Sequence, residues 1–192
     1  LDRPQDIKLC SHGEVGRVIH HDNARQVYID YIANTVNADF SNMKVAIDCA
    51  NGSSSATAKD LFSKLGVKFD LIHAEPDGIN INDNCGSTHM ESLMKLVREG
   101  DYDLGLAFDG DADRCLAVDE NGDLVDGDKL IAICSKAYKE EGRLKNNTAV
   151  VTVMTNLGFS HFAKANNIDV ITSSVGDRYV LEKMLEGGYN IG

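Results

Sequence analysis

The chain has 192 residues, 43% of them hydrophobic, and a formal net charge of −11. That length holds one large domain or two small ones around a buried core, and no apolar run is long enough to span a bilayer. The acidic balance argues against nucleic-acid or anionic-membrane partners and suits a protein that handles a cation.

In chain order, residues 1–16 mix polar residues and glycine without a period and read as a linker or tail. Val27, Ile29, Tyr31, Ile32 and Val36 recur at helical spacing, predicting a helix between Val18 and Val36. Lys44–Ala50 predicts a strand, Asn51-Gly52 a turn, and Ser53–Leu65 a helix stopped by Gly66. "VKFDLIHA" predicts a second strand. "THMESLMKLVREG" predicts a helix with Thr88 as N-cap and Glu91 completing a capping box. "YDLGLAFD" is a third strand, and "CLAVDENGDLVDGD" a hairpin turning at Glu120–Asp123. Beyond it come a helix at Lys129–Glu141, the strand "AVVTVMT", a helix at Gly158–Asn166, the strand "DVITSSV" and a helix at Asp177–Leu185.

Strand–helix alternation predicts an α/β protein with parallel strands and an antiparallel addition, that is, two mixed-sheet α/β units, the second incomplete. A domain boundary is expected near residue 124, dividing 17–124 from 125–192. The chain stops at Gly192 within the second unit, so a longer parent chain is expected.

The acid-rich stretch "LAFDGDADRCLAVDENGDLVDGDK" raises a question of charge. Like charges so close destabilise a fold unless something neutralises them. Leu104, Leu106 and Phe108 form an apolar strand that delivers Asp109 at its carboxyl end, where open α/β sheets bind ligands. Asp109, Asp111 and Asp113 alternate with Gly110 and Ala112, small enough for a tight curl. Three converging carboxylates suit a hard divalent cation such as Mg²⁺ or Ca²⁺. Three rivals compete: a solvated acidic turn, an EF-hand, and a haloacid-dehalogenase-type phosphatase using D-x-D. The EF-hand would need glycine where Arg114 stands and helices where strands are predicted. The phosphatase normally places this strand first in its domain.

"DGDADR" resembles the metal-binding loop of the α-D-phosphohexomutases. "DCANG" (Asp48–Gly52), "EPDGININDNCGSTH" (Glu75–His89) and "VGDRYVLEKM" (Val175–Met184) resemble the branch of that family acting on glucosamine phosphates. The resemblance implies an intramolecular phosphotransferase that interconverts sugar 1- and 6-phosphates through a phosphorylated serine. The substrate implied is glucosamine 6-phosphate, converted to the 1-phosphate through a bisphosphate. The resemblance further implies a role in peptidoglycan precursor synthesis in the cytoplasm. Branches acting on mannose or glucose phosphates are alternatives, as is a non-catalytic metal-binding module.

The resemblance implies that Asp109, Asp111 and Asp113 hold Mg²⁺, that Arg114 sits beside the phosphoryl group as a catalytic residue, and that Gly176, Asp177 and Arg178 line the substrate cleft. The remaining domains of the parent chain are the implied partners. Ser11-His12 and Ser160-His161 are not followed by Asn-Pro and so depart from the family's serine motif. The chain by itself is therefore expected to be inactive.

The remaining candidates read as structural. Asp119, Glu120, Asp123 and Asp126 are expected in turns. Asp177 is also a helix-cap candidate. Asn51–Ser54 could cradle an anion but lacks the P-loop spacing and lysine. His73 and His89 are each isolated in sequence. The five cysteines are odd in number and lack zinc-knuckle or redox spacing. Cys49, Cys115 and Cys134 sit in apolar segments and are expected to pack as small hydrophobes in a reducing compartment.

Overall fold

The computed structural model describes residues 9–192, so the first half of the expected 1–16 tail lies outside the described residues. The chain divides into two compact units, the first ending at Asn37 and the second running Ala38–Gly192. The first contains a 3-10 turn at His12–Glu14 and helix α1, Ala24–Ala33. α1 is shorter than the Val18–Val36 expectation. The preceding His20-His21-Asp22-Asn23 is a run of weak helix formers, and α1 starts only after Asn23.

The second unit begins with β1, Lys44–Asp48, an apolar run buried along almost its whole length. Such a run belongs at the centre of a sheet covered on both faces. β2 (Lys68–Ile72) and β3 (Leu104–Phe108) flank it in parallel. β4 (Cys115–Val118) pairs antiparallel with β3, and the short β5 (Leu124–Val125) antiparallel with β4. The sheet order is β2-β1-β3-β4-β5.

The period of two along β1 sends Val45, Ile47 and Cys49 to one face and Ala46 to the other. On the first face they meet Ala58, Phe62 and Leu65 around helix α2, Ala58–Lys64. On the other, Ala46, Ala107 and Val118 meet Leu93 and Val97 of helix α3, Glu91–Glu99. Leu93 and Val97 stand four apart on one helical face and are fully buried. Each such side chain contributes about 1.5–3 kcal/mol.

Two helix starts differ from expectation. Ser53–Ala56 is a 3-10 turn, and α2 begins only at Ala58. The Ser54 hydroxyl donates back to the Cys49 carbonyl, and serine side chains that bond locally compete with helix. Thr88 does not cap α3 either: it closes a 3-10 turn, Gly86–Thr88, and Met90 precedes the helix without a side-chain cap. Burial of Met90 in the core and the positive φ of Gly86 fix this entry, and tertiary packing overrides the local capping box.

Helix α4, Gly127–Glu140, leads to a second sheet. Here β6 (Thr148–Thr152) and β7 (Asp169–Ser173) run parallel, with helices α5 (Leu157–Ala165) and α6 (Asp177–Gly187) following each. Asp126 caps α4 by accepting from the Lys129 N–H, and Asn156 caps α5 by accepting from Phe159. The Asp128 carboxylate accepts the Asn156 N–H and ties the two helix starts together. Ala149, Val151, Phe159, Ala163 and Ile168 form this part's core.

One close approach positions the site. A Cβ on Gly52 would collide with the Gly110 carbonyl oxygen, and the Ser53 N–H donates to that same oxygen at 2.8 Å. Gly52→Ala must push two backbone segments apart, at a cost of about 1–3 kcal/mol. Gly127→Ala meets open space and is expected to be neutral or to stabilise by about 0.4–1 kcal/mol. Urea unfolding of both variants checks this, and an unchanged midpoint for Gly52→Ala would contradict the contact.

Candidate metal and active site

The carboxyl ends of β1 and β3 lie side by side, with Asp48 in register with Ala107. Two residues on, Asp109 leaves β3 with 1% of its surface exposed. An ionised carboxylate this deep requires partners. Arg114 supplies them from the far side of the loop: its backbone N–H donates to Oδ1 at 3.0 Å and its Nε to Oδ2 at 2.8 Å. A turn closed by the Ala112 N–H on the Asp109 carbonyl bends the chain between them. Ala112 takes a left-handed conformation, φ 59°, to make that bend.

Asp109, Asp111 and Asp113 each offer an oxygen, and the three lie within 4.8 Å of one another. Asp111 and Asp113 are exposed, so the trio has a buried floor and an open mouth. The donor set is all carboxylate oxygen, which suits a hard cation. Electrostatics points the same way. Burial pushes the Asp109 carboxyl up, but the hydrogen bonds and charge of Arg114 outweigh it and hold it below the usual range. The charge of Asp111, then desolvation and the charge of Asp109, push Asp113 above the usual range. Its 3.6 Å approach to Arg114 offsets only part of that.

Arg114 is locked at Nε and remains 65% exposed along its side chain, so the guanidinium stands at the mouth of the trio. The flanking elements are strands, as expected, which leaves no EF-hand. Both Asp109 oxygens accept from Arg114, so neither is presented as the free nucleophile that a D-x-D phosphatase needs.

The loop is wedged in place. Its Gly110 faces Gly52 and Ser53 on one side and Ile81 and Asn82 on the other, where a Cβ would meet Asn82 Nδ2 and Ile81 Cδ1 at 2.7 Å. The Ser53 N–H is thereby used on Gly110, which favours the structural reading of the Asn51–Ser54 turn over an anion cradle.

The other expected residues stand apart from this loop. Gly176, φ 129°, precedes α6, and Asp177 and Arg178 open its first turn, exposed. Asp177 is not the N-cap: Gly176 holds that position, and the Asp177 carboxylate accepts from the Arg178 N–H. Arg178 Nε donates to Glu182 at 2.9 Å. Among the described residues no hydrogen bond or ion pair joins this turn to Asp109–Arg114. Ser160 and His161 are exposed on α5. Asp119 holds the β4–β5 turn by accepting from the Asn121 and Asp123 N–H groups, and Asp123 lies 3.9 Å from Arg98.

Sequence reasoning missed a second cluster. Asp48, fully buried, accepts from the Ala50 and Gly86 N–H groups and lies 2.9 Å from His73 Nδ1. The buried Cys85 thiol lies within 4.8 Å of both. Strand ends at Asp48 and His73 were a usable signal, since parallel neighbours end together. Cys115 and Cys134, expected to be packed, are exposed instead. Cys115 starts β4 at the loop mouth and Cys134 falls on the outer side of α4.

Residues 26–122 match the family described as phosphoglucomutase/phosphomannomutase, alpha/beta/alpha domain II, and residues 126–192 its domain III. The chain is 50% identical to the phosphoglucosamine mutase of Acetivibrio thermocellus over 192 residues, all of this chain and 43% of that protein. It is 51% identical to that of Clostridium novyi over 178 residues, 93% of this chain and 40% of that one. The chain thus spans about two fifths of the length of the curated relatives it matches. A phosphoglucomutase/phosphomannomutase family protein from Burkholderia thailandensis superposes with a TM-score of 0.73 at 20% identity, covering 86% of this chain and 36% of the other. An apo N-acetylglucosamine-phosphate mutase gives 0.63 at 21%, covering 85% and 39%. These two structural likenesses speak to fold alone.

The raised Asp113 carboxyl makes a signed prediction. Its charged form is less favourable folded than unfolded, so at neutral pH that charge costs stability, and the cost vanishes as the pH falls below the carboxylate range. Asp113→Asn is expected to raise the melting temperature at neutral pH without divalent cation and to leave it unchanged in acid. Thermal melts at the two pH values measure it. A lowered neutral-pH melting temperature would show that the Arg114 contact dominates instead.

Proposed function

We propose that this chain, which belongs to the phosphoglucomutase/phosphomannomutase family, is the metal-loop portion of a phosphosugar mutase that converts glucosamine 6-phosphate to glucosamine 1-phosphate. The observation that carries this reading is the carboxylate trio on a buried, Arg-locked floor at the carboxyl end of β3. The sugar is inferred from the relatives at 50–51% identity, which are named phosphoglucosamine mutases.

In this reading Asp109, Asp111 and Asp113 hold Mg²⁺, which when bound supplies positive charge against a phosphoryl group. Phosphoryl transfer is mainly positioning and charge neutralisation. Arg114 contributes a guanidinium whose direction is fixed by Asp109, so little rotamer freedom is lost when it meets an anion. Gly176, Asp177 and Arg178 lie after the carboxyl end of β7, where ligands of α/β sheets bind, and there they orient the phosphosugar. Segment 17–124 then serves as the metal domain and 125–192 as part of the next. The serine that carries the phosphoryl group, and the further domains, belong to the parent chain.

Among the described residues no helix is long and apolar enough to cross a membrane, and all five cysteines are free thiols. The free thiols suit the reducing, cytoplasmic setting that this reading gives the protein.

Three measurements test this. The isolated chain is expected to give no mutase turnover with glucosamine 6-phosphate and a bisphosphate activator, because positioning without a nucleophile forfeits most of its advantage. Turnover surviving exhaustive purification would contradict the division of labour. In the parent protein, Arg178→Ala is expected to lower kcat/KM by roughly one to two orders of magnitude, the worth of about 1.5–3 kcal/mol for a charged hydrogen bond, with the melting temperature unchanged. Wild-type kinetics would reduce the turn to a helix start. Finally, Mg²⁺ at ten times its Kd stabilises by roughly 1.4 kcal/mol, a rise of about 3–6 °C in Tm for a chain of this size. Asp111→Asn is expected to abolish most of that rise and Asp123→Asn to keep it. Equal rises in all three proteins would mean general charge screening.

A further inference from the structure

The second cluster has a different chemistry from the first. Asp48 offers a carboxylate oxygen, His73 an imidazole nitrogen and Cys85 a sulfur, all within 4.8 Å of one another. Oxygen, nitrogen and sulfur together are the donors that zinc-like cations prefer, and Mg²⁺ does not take sulfur. We propose that Asp48, His73 and Cys85 form a second cation site, separate from the Asp109 loop, that binds Zn²⁺ or a cation of its class.

The site is built, not assembled from surface chains. Asp48 and Cys85 are fully buried and His73 is half-buried. The three come from separate segments: Asp48 ends β1, His73 follows β2 and Cys85 precedes the Gly86–Thr88 turn. Asp48 and Cys85 each have a further partner that orients them, as ligands in metal sites do. The Ala50 N–H holds Asp48 Oδ1 at 2.8 Å and the Gly86 N–H holds Oδ2 at 3.0 Å. The Asn51 amide lies 3.9 Å from Cys85 Sγ, while its own oxygen accepts from the Glu75 N–H at 3.2 Å.

Charge balance favours occupation. Two positive charges on the ion meet one negative charge each from the carboxylate and the thiolate, with neutral imidazole as third ligand. A buried centre with no net charge avoids the cost that any one of these ions would carry alone. Binding removes one proton from the Cys85 thiol to solvent. Ligation through His73 Nδ1 replaces the hydrogen bond to Asp48 and leaves the ring proton on Nε2. An entry route exists on the imidazole side: Asn51, Leu71, His73, Ala74, Glu75 and Asn80 line a cavity of about 510 Å³ that opens to solvent. Water arriving there completes four-coordination.

The proposal does not depend on the mutase reading. The role it gives the ion is to pin the Glu75–Gly86 segment to the end of β1. That segment also carries Ile81 and Asn82, which wedge Gly110.

Cobalt(II) is the probe, because a thiolate ligand gives it a near-ultraviolet charge-transfer band that carboxylates do not. The 192-residue chain is titrated with Co²⁺ in excess Mg²⁺, so that any oxygen-only site is filled. The expected result is a band that saturates at one equivalent, bleaches on adding Zn²⁺, and is lost in Cys85→Ser and His73→Gln. A triple variant at the exposed thiols, Cys10→Ser with Cys115→Ser and Cys134→Ser, is expected to keep it, and together with loss of the band in His73→Gln it decides the matter if Cys85→Ser does not fold. No band in the wild-type chain, a band surviving in Cys85→Ser, or a band lost in the triple variant would each overturn the proposal.

Discussion

Asp109 carries a negative charge to the end of a buried strand with almost no contact with water, and the geometry around it follows from that constraint. A carboxylate in such a place is destabilising unless hydrogen bonds and opposite charge reach it. The chain answers by curling back within five residues, so that Arg114 meets both oxygens with its backbone and its guanidinium. The curl throws Asp111 and Asp113 outward beside the floor that Asp109 forms. Buried anion, locked cation and exposed acids thus arise together from one short loop.

The loop holds its shape because two other segments press on it. Gly52 and Ser53 meet Gly110 on one side, and Ile81 and Asn82 meet it on the other. Asp48 anchors the base of this arrangement by binding the N–H of Ala50 before the first segment and of Gly86 after the second. Both glycines at the Gly52–Gly110 contact are there because backbone must touch backbone. The sheet supplies rigidity beneath: β1 and β3 are neighbours in parallel register, and their ends therefore move as one.

The fold was legible where the signal was local. The buried run of β1, the four-residue spacing of Leu93 and Val97 and the Asn121-Gly122 turn each specify their element without help from elsewhere. The clustering of Asp109, Asp111 and Asp113 was legible for the same reason, since the three carboxylates alternate along five residues. Failure came where distant packing decides. Thr88 and Glu91 have the spacing of a capping box, yet Met90 is drawn into the core and the chain winds tighter there. Cys115 and Cys134 lie in apolar stretches, but which way a side chain faces at a strand start or on a helix depends on what packs against it. Asp48, His73 and Cys85 are scattered over 38 positions, and only the order β2-β1-β3 brings two strand ends and a loop together.

The claim on which the rest turns is that Asp109, Asp111 and Asp113 form one divalent-cation site. Mn²⁺ occupies oxygen sites of this kind and broadens nearby nuclear magnetic resonances. A titration of the ¹⁵N-labelled chain with substoichiometric Mn²⁺ tests the claim directly. The account predicts that the backbone signals of Gly110 to Arg114 broaden first, followed by Gly52 and Ser53, and that excess Mg²⁺ restores them. Broadening that begins at the Asp119–Asp123 turn, or that spreads evenly over the acidic surface, would contradict it.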